Sequence, residues 1–210
     1  MLTIYATKGI IKAEITVGGN MYKLCKTEGS SQRQKEIEQI LLGLMREKRY
    51  EEISVTEICE RANMPRKSFY RYFDGKDGAM QSLLSHTMSE FESLRWSDMN
   101  KKISDEFEGF FTFWKSKKDL LEAFDKSGLI GLVVESATSF AMNEFGDIEK
   151  YMTNSGEREK MISYQFVICG IMTMVINWYR QGFVESIPNM ARTATKIITK
   201  PLFENLTRTE

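Results

Sequence analysis

Histidine is nearly absent from this chain of 210 residues, with His86 the single example. One imidazole, with no nucleophile motif, no phosphate-binding loop and no ligand cluster at metal spacing, leaves an enzyme as the poorer reading. Neither a metal nor a cofactor is expected, and His86 reads as a structural or exposed residue of a long helix. Cysteine is scarce too. Cys25, Cys59 and Cys169 are odd in number and far apart, which argues against a disulfide framework or a zinc site and for a reducing, cytoplasmic setting. Cys59 falls among apolar positions and reads as a small core residue. No apolar run reaches membrane-spanning length, the best stretch being Phe166 to Trp178, and no secretory signal pattern is present. An excess of either charge is also missing, since 29 Lys and Arg balance 29 Asp and Glu. No global field draws in nucleic acid, so DNA binding would have to come from a local patch.

Such a patch is present. Between Arg61 and Lys76 the chain carries Arg61, Arg66, Lys67, Arg71 and Lys76 against Asp74. A solvated charged face accounts for any one of these alone, and accounts less well for all of them on a pair of short helices. The run Ser54 to Phe73 reads as such a pair. Ser54, with Glu57 three residues on, predicts a capping box in which each side chain satisfies a backbone N–H of the first turn. Val55, Ile58, Cys59 and Ala62 form the apolar side of the first helix. Asn63 and Met64 turn the chain, and Pro65 starts a second helix. Phe69 and Phe73, four apart, hold that helix on the core and leave Arg66, Lys67, Ser68, Tyr70 and Arg71 outward. This is the pattern of a helix-turn-helix presented to DNA.

The first thirty residues differ from the rest. Ile4, Tyr5, Ile10, Ile11, Ile15 and Val17 are β-prone, and Gly18-Gly19-Asn20 before Met21, Tyr22 and Leu24 suits a hairpin turn. A lone hairpin is marginal in water, so this extension either docks on the body or is mobile, and Met21 is itself an alternative start. From Ser31 the pattern is helical. Ile37, Ile40, Leu41 and Leu44 predict an amphipathic helix ending near Lys48. After Asp74-Gly75, a helix from Lys76 to Arg95 buries Leu83, Leu84, Thr87, Met88, Phe91 and Leu94 and connects two domains. Further helices are expected at Lys101 to Lys115, Lys118 to Lys126, Leu129 to Phe145, Glu157 to Gln181 and Asn189 to Phe203. The fold class is all-α, with an extension over 1–30, a three-helix helix-turn-helix domain over 31–77 and a helical bundle over 78–210.

This arrangement resembles the TetR family of bacterial transcriptional repressors. The likeness rests on the Ser31 to Lys48 helix, the stretch Tyr50 to Ile58, the run Ala62 to Phe73, and Lys76 after the Tyr-Phe pair. The resemblance implies a recognition helix at Pro65 to Tyr72, with Arg66, Lys67, Ser68 and Arg71 facing base edges. Tyr70 and Tyr72 would meet the DNA backbone or a thymine methyl, and Lys76 a phosphate. Ser54 and Thr56, at the start of the preceding helix, are further phosphate candidates. Two residues depart from the family pattern: Pro65 stands where a capping serine or threonine is common, and Lys67 where a small residue is common. A different entry to the helix is therefore expected, and Lys67 is placed between base and phosphate. Arginine is the best base reader, because its fork pairs with guanine O6 and N7. One short helix touches few base pairs, so a homodimer on a near-palindromic site of double-stranded DNA is expected, with recognition helices about 34 Å apart.

The second half is rich in aromatic residues, and packing accounts for most of them. The resemblance nevertheless implies an effector cavity there, for which Phe107, Phe111, Trp114, Glu135, Phe140, Phe166, Met174 and Trp178 are candidates. Their character points to an apolar or aromatic small molecule, with Glu135 available to a cation. The last two helices stand where family members dimerise, with Gly170, Ile171, Met174, Val175, Trp178, Ile197 and Ile198 as candidate contacts. An effector that favours a tilted connector helix would lower DNA affinity by linkage. Control by a protein partner is the alternative, and a closed bundle without a cavity would favour it.

Overall fold

A computed structural model describes residues 21–23, 25, 27–95, 102–143 and 156–199. The fold is all-α: α1 (Glu28–Glu47), a 3-10 turn (Tyr50–Glu52), α2 (Val55–Arg61), α3 (Arg66–Phe69), α4 (Lys76–Arg95), α5 (Ile103–Ser116), α6 (Lys118–Lys126), α7 (Ile130–Asn143), α8 (Glu157–Arg180) and α9 (Ile187–Thr199). The expected Gly18-Gly19-Asn20 hairpin, Phe145, and the end of the last helix at Phe203 lie outside the described residues.

α1 begins earlier than its apolar stripe does. Thr27 accepts from the Ser30 backbone N–H while the Ser30 hydroxyl accepts from the Thr27 N–H, a capping box that starts the helix at Glu28. Ile37, Leu41 and Leu44 are fully buried, as their spacing predicts, and Met45 joins them. Gln34 and Glu38 are buried on the same helix, and both polar side chains are satisfied across the fold. Gln34 Nε2 donates to the Lys23 carbonyl. Glu38 accepts from Ser82 Oγ at 2.6 Å and lies 2.8 Å from His86 Nδ1. The single histidine is therefore structural, bridging α4 to α1 through a buried carboxylate.

α4 packs on α1 and buries Ala79, Leu83, Leu84, Thr87 and Met88, whereas Leu94, near its C-terminal end, is 58% exposed. α1 also lies along α6, and α9 along α5, while α7 packs on α8. The core is continuous through both halves, from Ile37 and Phe69 to Phe111, Phe124 and Trp178. Phe111 meets Trp178 edge to face at 5.7 Å, and Phe183 closes on Trp178 at 4.7 Å. The three cysteines are free, and Cys59 is buried as its apolar register predicts. Among the described residues, α8 is the helix long and apolar enough to cross a membrane, and a third of that stretch is already buried in the bundle.

The sole β-pairing among the described residues comes from the stretch before α1. Tyr22 forms an isolated antiparallel bridge with Phe73. Lys23 N–H donates to the Tyr72 carbonyl at 2.8 Å, and Asp74 N–H donates to the Met21 carbonyl at 2.9 Å.

Candidate nucleic-acid interface

α2 and α3 are short, so their relative placement depends on the turn between them. Asn63 takes a left-handed conformation, φ 46°, which asparagine tolerates better than most residues. Met64 N–H then donates back to the Cys59 carbonyl, and Pro65 caps α3 in extended backbone. The expected helix from Pro65 to Tyr72 is regular only over Arg66–Phe69. Beyond it Arg71 bonds to Ser68 and Tyr72 to Phe69, three residues back, so the last turn tightens toward 3-10 geometry. Phe69 and Phe73 are fully buried and pack tilted against each other, ring centroids 5.3 Å apart, anchoring the element from beneath. Arg66, Lys67, Tyr70 and Arg71 are exposed on its outer side, with Ser68 and Tyr72 half-buried. The guanidinium of Arg66 reaches the Tyr70 hydroxyl at 3.4 Å.

The expected capping box of α2 forms only in half. Ser54 Oγ accepts from the Glu57 N–H, but the Glu57 carboxylate pairs with Lys48 at 2.6 Å. An ion pair to α1 has displaced the reciprocal bond. Thr56 is exposed beside the groove lined by Cys59, Glu60, Asn63, Met64, Pro65 and Arg66. Burial raises the Cys59 thiol above its ordinary range and makes it a poor nucleophile.

The local basic patch is smaller than its sequence count. Arg61 pairs with Glu47. Lys76, the expected phosphate contact, has an ammonium that donates to the carbonyls of Tyr50 at 2.8 Å, Ile53 at 2.9 Å and Glu51 at 3.3 Å. It also lies 4.4 Å from the centroid of the Tyr50 ring. Three donors meet three carbonyls, so Lys76 ties the 3-10 turn to the start of α4. Lys76→Ala should therefore lower stability by about 1.5–3 kcal/mol, the usual worth of hydrogen bonds to a charged group. Denaturant melts will read that loss, and the salt dependence of DNA binding should keep its slope. A slope reduced by about one would return Lys76 to phosphate binding.

The same corner joins the helix-turn-helix to the bundle. Tyr50 N–H donates to Ser127 Oγ at 3.0 Å, and Lys126 Nζ donates to the carbonyls of Arg46 and Glu47. Tyr50 OH donates to Asp77, and burial together with that carboxylate pushes the phenol well above its ordinary value, so it stays a donor. Glu38, Lys126 and Ser127 carry no recognisable local signal, since their partners lie more than forty residues away along the chain.

The residues named for an effector pocket do not form one cluster. Phe111, Trp114 and Trp178 are buried in the aromatic core, with Phe107, Phe140 and Met174 partly buried against it. Glu135 is exposed on α7 and Phe166 is 74% exposed on α8, so both point away from that interior. Ser136, 5% exposed, has a hydroxyl with no hydrogen-bond partner. Of the candidate dimer contacts, Ile171, Val175 and Trp178 are also consumed inside the protomer. Gly170, Ile197 and Ile198 remain exposed, together with Ile162 and Phe166.

Residues 42–82 match the family model of the bacterial regulatory proteins, tetR family. No curated protein matches the chain by sequence. Among solved structures, the dihydroxyacetone kinase operon activator DhaS superposes with a TM-score of 0.57 at 16% identity, covering 79% of this chain and 93% of that one. The fatty acid degradation regulator FadR from Bacillus halodurans follows at 0.55 and 14%, covering 81% and 96%. A transcriptional regulator from Aquifex aeolicus VF5 aligns at 0.50 and 18%, covering 78% and 96%. At these identities the likeness is one of fold.

Proposed function

We propose that this chain, whose N-terminal helices belong to the TetR family of bacterial regulatory proteins, is a cytoplasmic transcriptional repressor that grips a near-palindromic operator as a dimer. The observation that carries this reading is the outward row Arg66, Lys67, Tyr70 and Arg71, fixed from below by the buried pair Phe69 and Phe73. Arg66 and Arg71 present forks to base edges. Lys67 and Tyr70 hold the backbone and set the register without reading sequence. Ser68 and Tyr72, half-buried, lie at the edge of the contact, as do Ser54 and Thr56 at the start of α2.

Selection of bound sequences from random duplex DNA by the purified chain tests the proposal. An enriched palindrome with half-sites about one helical turn, roughly 34 Å, apart is the expected result. Recovery of no preferred sequence would overturn it.

Release of the operator follows from the corner at Tyr50. α4 and the Lys126–Ser127 contact both connect the helix-turn-helix to the bundle, so a bundle state that moves either changes the spacing of the recognition elements. An apolar or aromatic small molecule that binds that state better lowers DNA affinity by the same differential. The unpartnered hydroxyl of Ser136 supports a ligand on α7. The packing of Phe111 on Trp178 and of Trp114 on Phe110 fills the interior with aromatic rings and favours a second reading, in which a protein partner on the outside of the bundle shifts the same equilibrium.

A further inference from the structure

The segment Met21–Lys23 lies outside the family match, yet it is built into the end of the recognition element. Two backbone hydrogen bonds pair it with Tyr72 and Asp74. Tyr22 OH donates to Ser85 Oγ at 3.0 Å, Met21 N–H to Gln81 Oε1 at 3.2 Å, and the Lys23 carbonyl accepts from Gln34. The fit against α4 is close: a Cβ on Gly78 would stand 2.1 Å from the Met21 carbonyl oxygen. Only glycine admits the segment at that distance. The result is a short strand clamped between α1, α4 and the Tyr72–Asp74 turn.

That clamp aims one side chain. Lys23 is exposed, and its ammonium lies 3.4 Å from the Tyr70 carbonyl, one acceptor for three donors. It stands beside Tyr70 and Tyr72, on the rim of the proposed DNA face, where Arg61 and Lys76 of the sequence patch are already engaged elsewhere. We propose that Lys23 is a DNA phosphate contact, delivered by the Met21–Lys23 strand and dependent on Gly78 for its position. The inference rests on the DNA-binding reading above. A carbonyl-anchored ammonium with free N–H groups at the edge of a basic face has the geometry for a phosphate oxygen, and it supplies charge without sequence preference.

The test uses full-length protein and fluorescence anisotropy on a selected operator and on an unrelated duplex, across a salt series. Lys23→Gln should weaken both duplexes by a similar factor, about 3- to 10-fold near 0.1 M salt, and reduce the slope of log affinity against log salt by about one. Gly78→Ala leaves a good helix former in α4 while expelling the strand, and it should reproduce both changes with base preferences intact. Circular dichroism will establish that each variant is folded. Unchanged affinity and slope in Lys23→Gln would overturn the proposal while DNA binding by the wild type stands, as would a loss of affinity at constant slope. A wild-type chain that bound neither duplex would overturn both readings.

Discussion

Phe166→Glu is expected to convert the protein from dimer to monomer at micromolar concentration and to weaken operator binding by about 100-fold or more. Ile162, Phe166, Gly170, Thr173 and Asn177 recur at intervals of four, four, three and four along α8, one stripe of a helix, and all five are exposed. Phe166 is the large apolar centre of that stripe, and Ile197 and Ile198 add exposed apolar surface on α9. Soluble proteins rarely leave such a face bare, and in the proposed dimer a second copy would cover it with like against like. A carboxylate at its centre must be desolvated twice in a symmetric dimer, once from each protomer. Because Phe166 touches little within its own protomer, the fold should survive. Linking two half-site readers raises avidity by about 10²- to 10⁴-fold, and that gain is what the monomer loses. Sedimentation and operator titration measure the two effects together. A variant that remained dimeric would remove this face from the interface.

Phe69→Ala is expected to abolish DNA binding by a different route, through a loss of about 3–5 kcal/mol of stability. The Phe69 ring is fully buried, 5.3 Å from Phe73 and 5.6 Å from Tyr70, beneath an α-helix of only four residues. So short a helix cannot hold itself by backbone hydrogen bonds, since nucleation alone is unfavourable. Its geometry is imposed by the two rings below it. Removing one leaves a cavity that a four-residue element cannot collapse into without rotating Arg66 and Arg71 out of the outward row they form. Denaturant unfolding should show the loss, whereas Phe69→Leu, closer in volume, should retain most stability and much of the operator affinity. Full affinity in Phe69→Ala would show that the recognition element is held by something other than this pair.

Much of the chain was legible because helices announce themselves locally. The stripe Ile37, Leu41 and Leu44, the break at Asn63 and the aromatic pair at Phe69 and Phe73 all depend on residues within one or two turns of each other. A side-chain cap was lost where a neighbour in space competed. Glu57 has the spacing of a reciprocal cap, but Lys48 claims its carboxylate. The aromatic residues of the second half stand out by type, and type does not say which way a side chain points. Phe166 and Phe111 read alike in sequence, while one is 74% exposed and the other is fully buried.

The sequence by itself determined the order of the helices and the helix-turn-helix, since periodicity and turn chemistry act over short separations. Only the tertiary structure decided which charges remain free. Lys76 is occupied by the carbonyls of Tyr50, Glu51 and Ile53, Arg61 by Glu47, and Lys23 is brought to the recognition face by a strand that crosses forty-seven residues of sequence to reach Tyr70. Whether an ammonium binds a phosphate or a carbonyl depends on what stands within 3 Å of it, and that distance is set by packing between segments whose separation along the chain carries no signal.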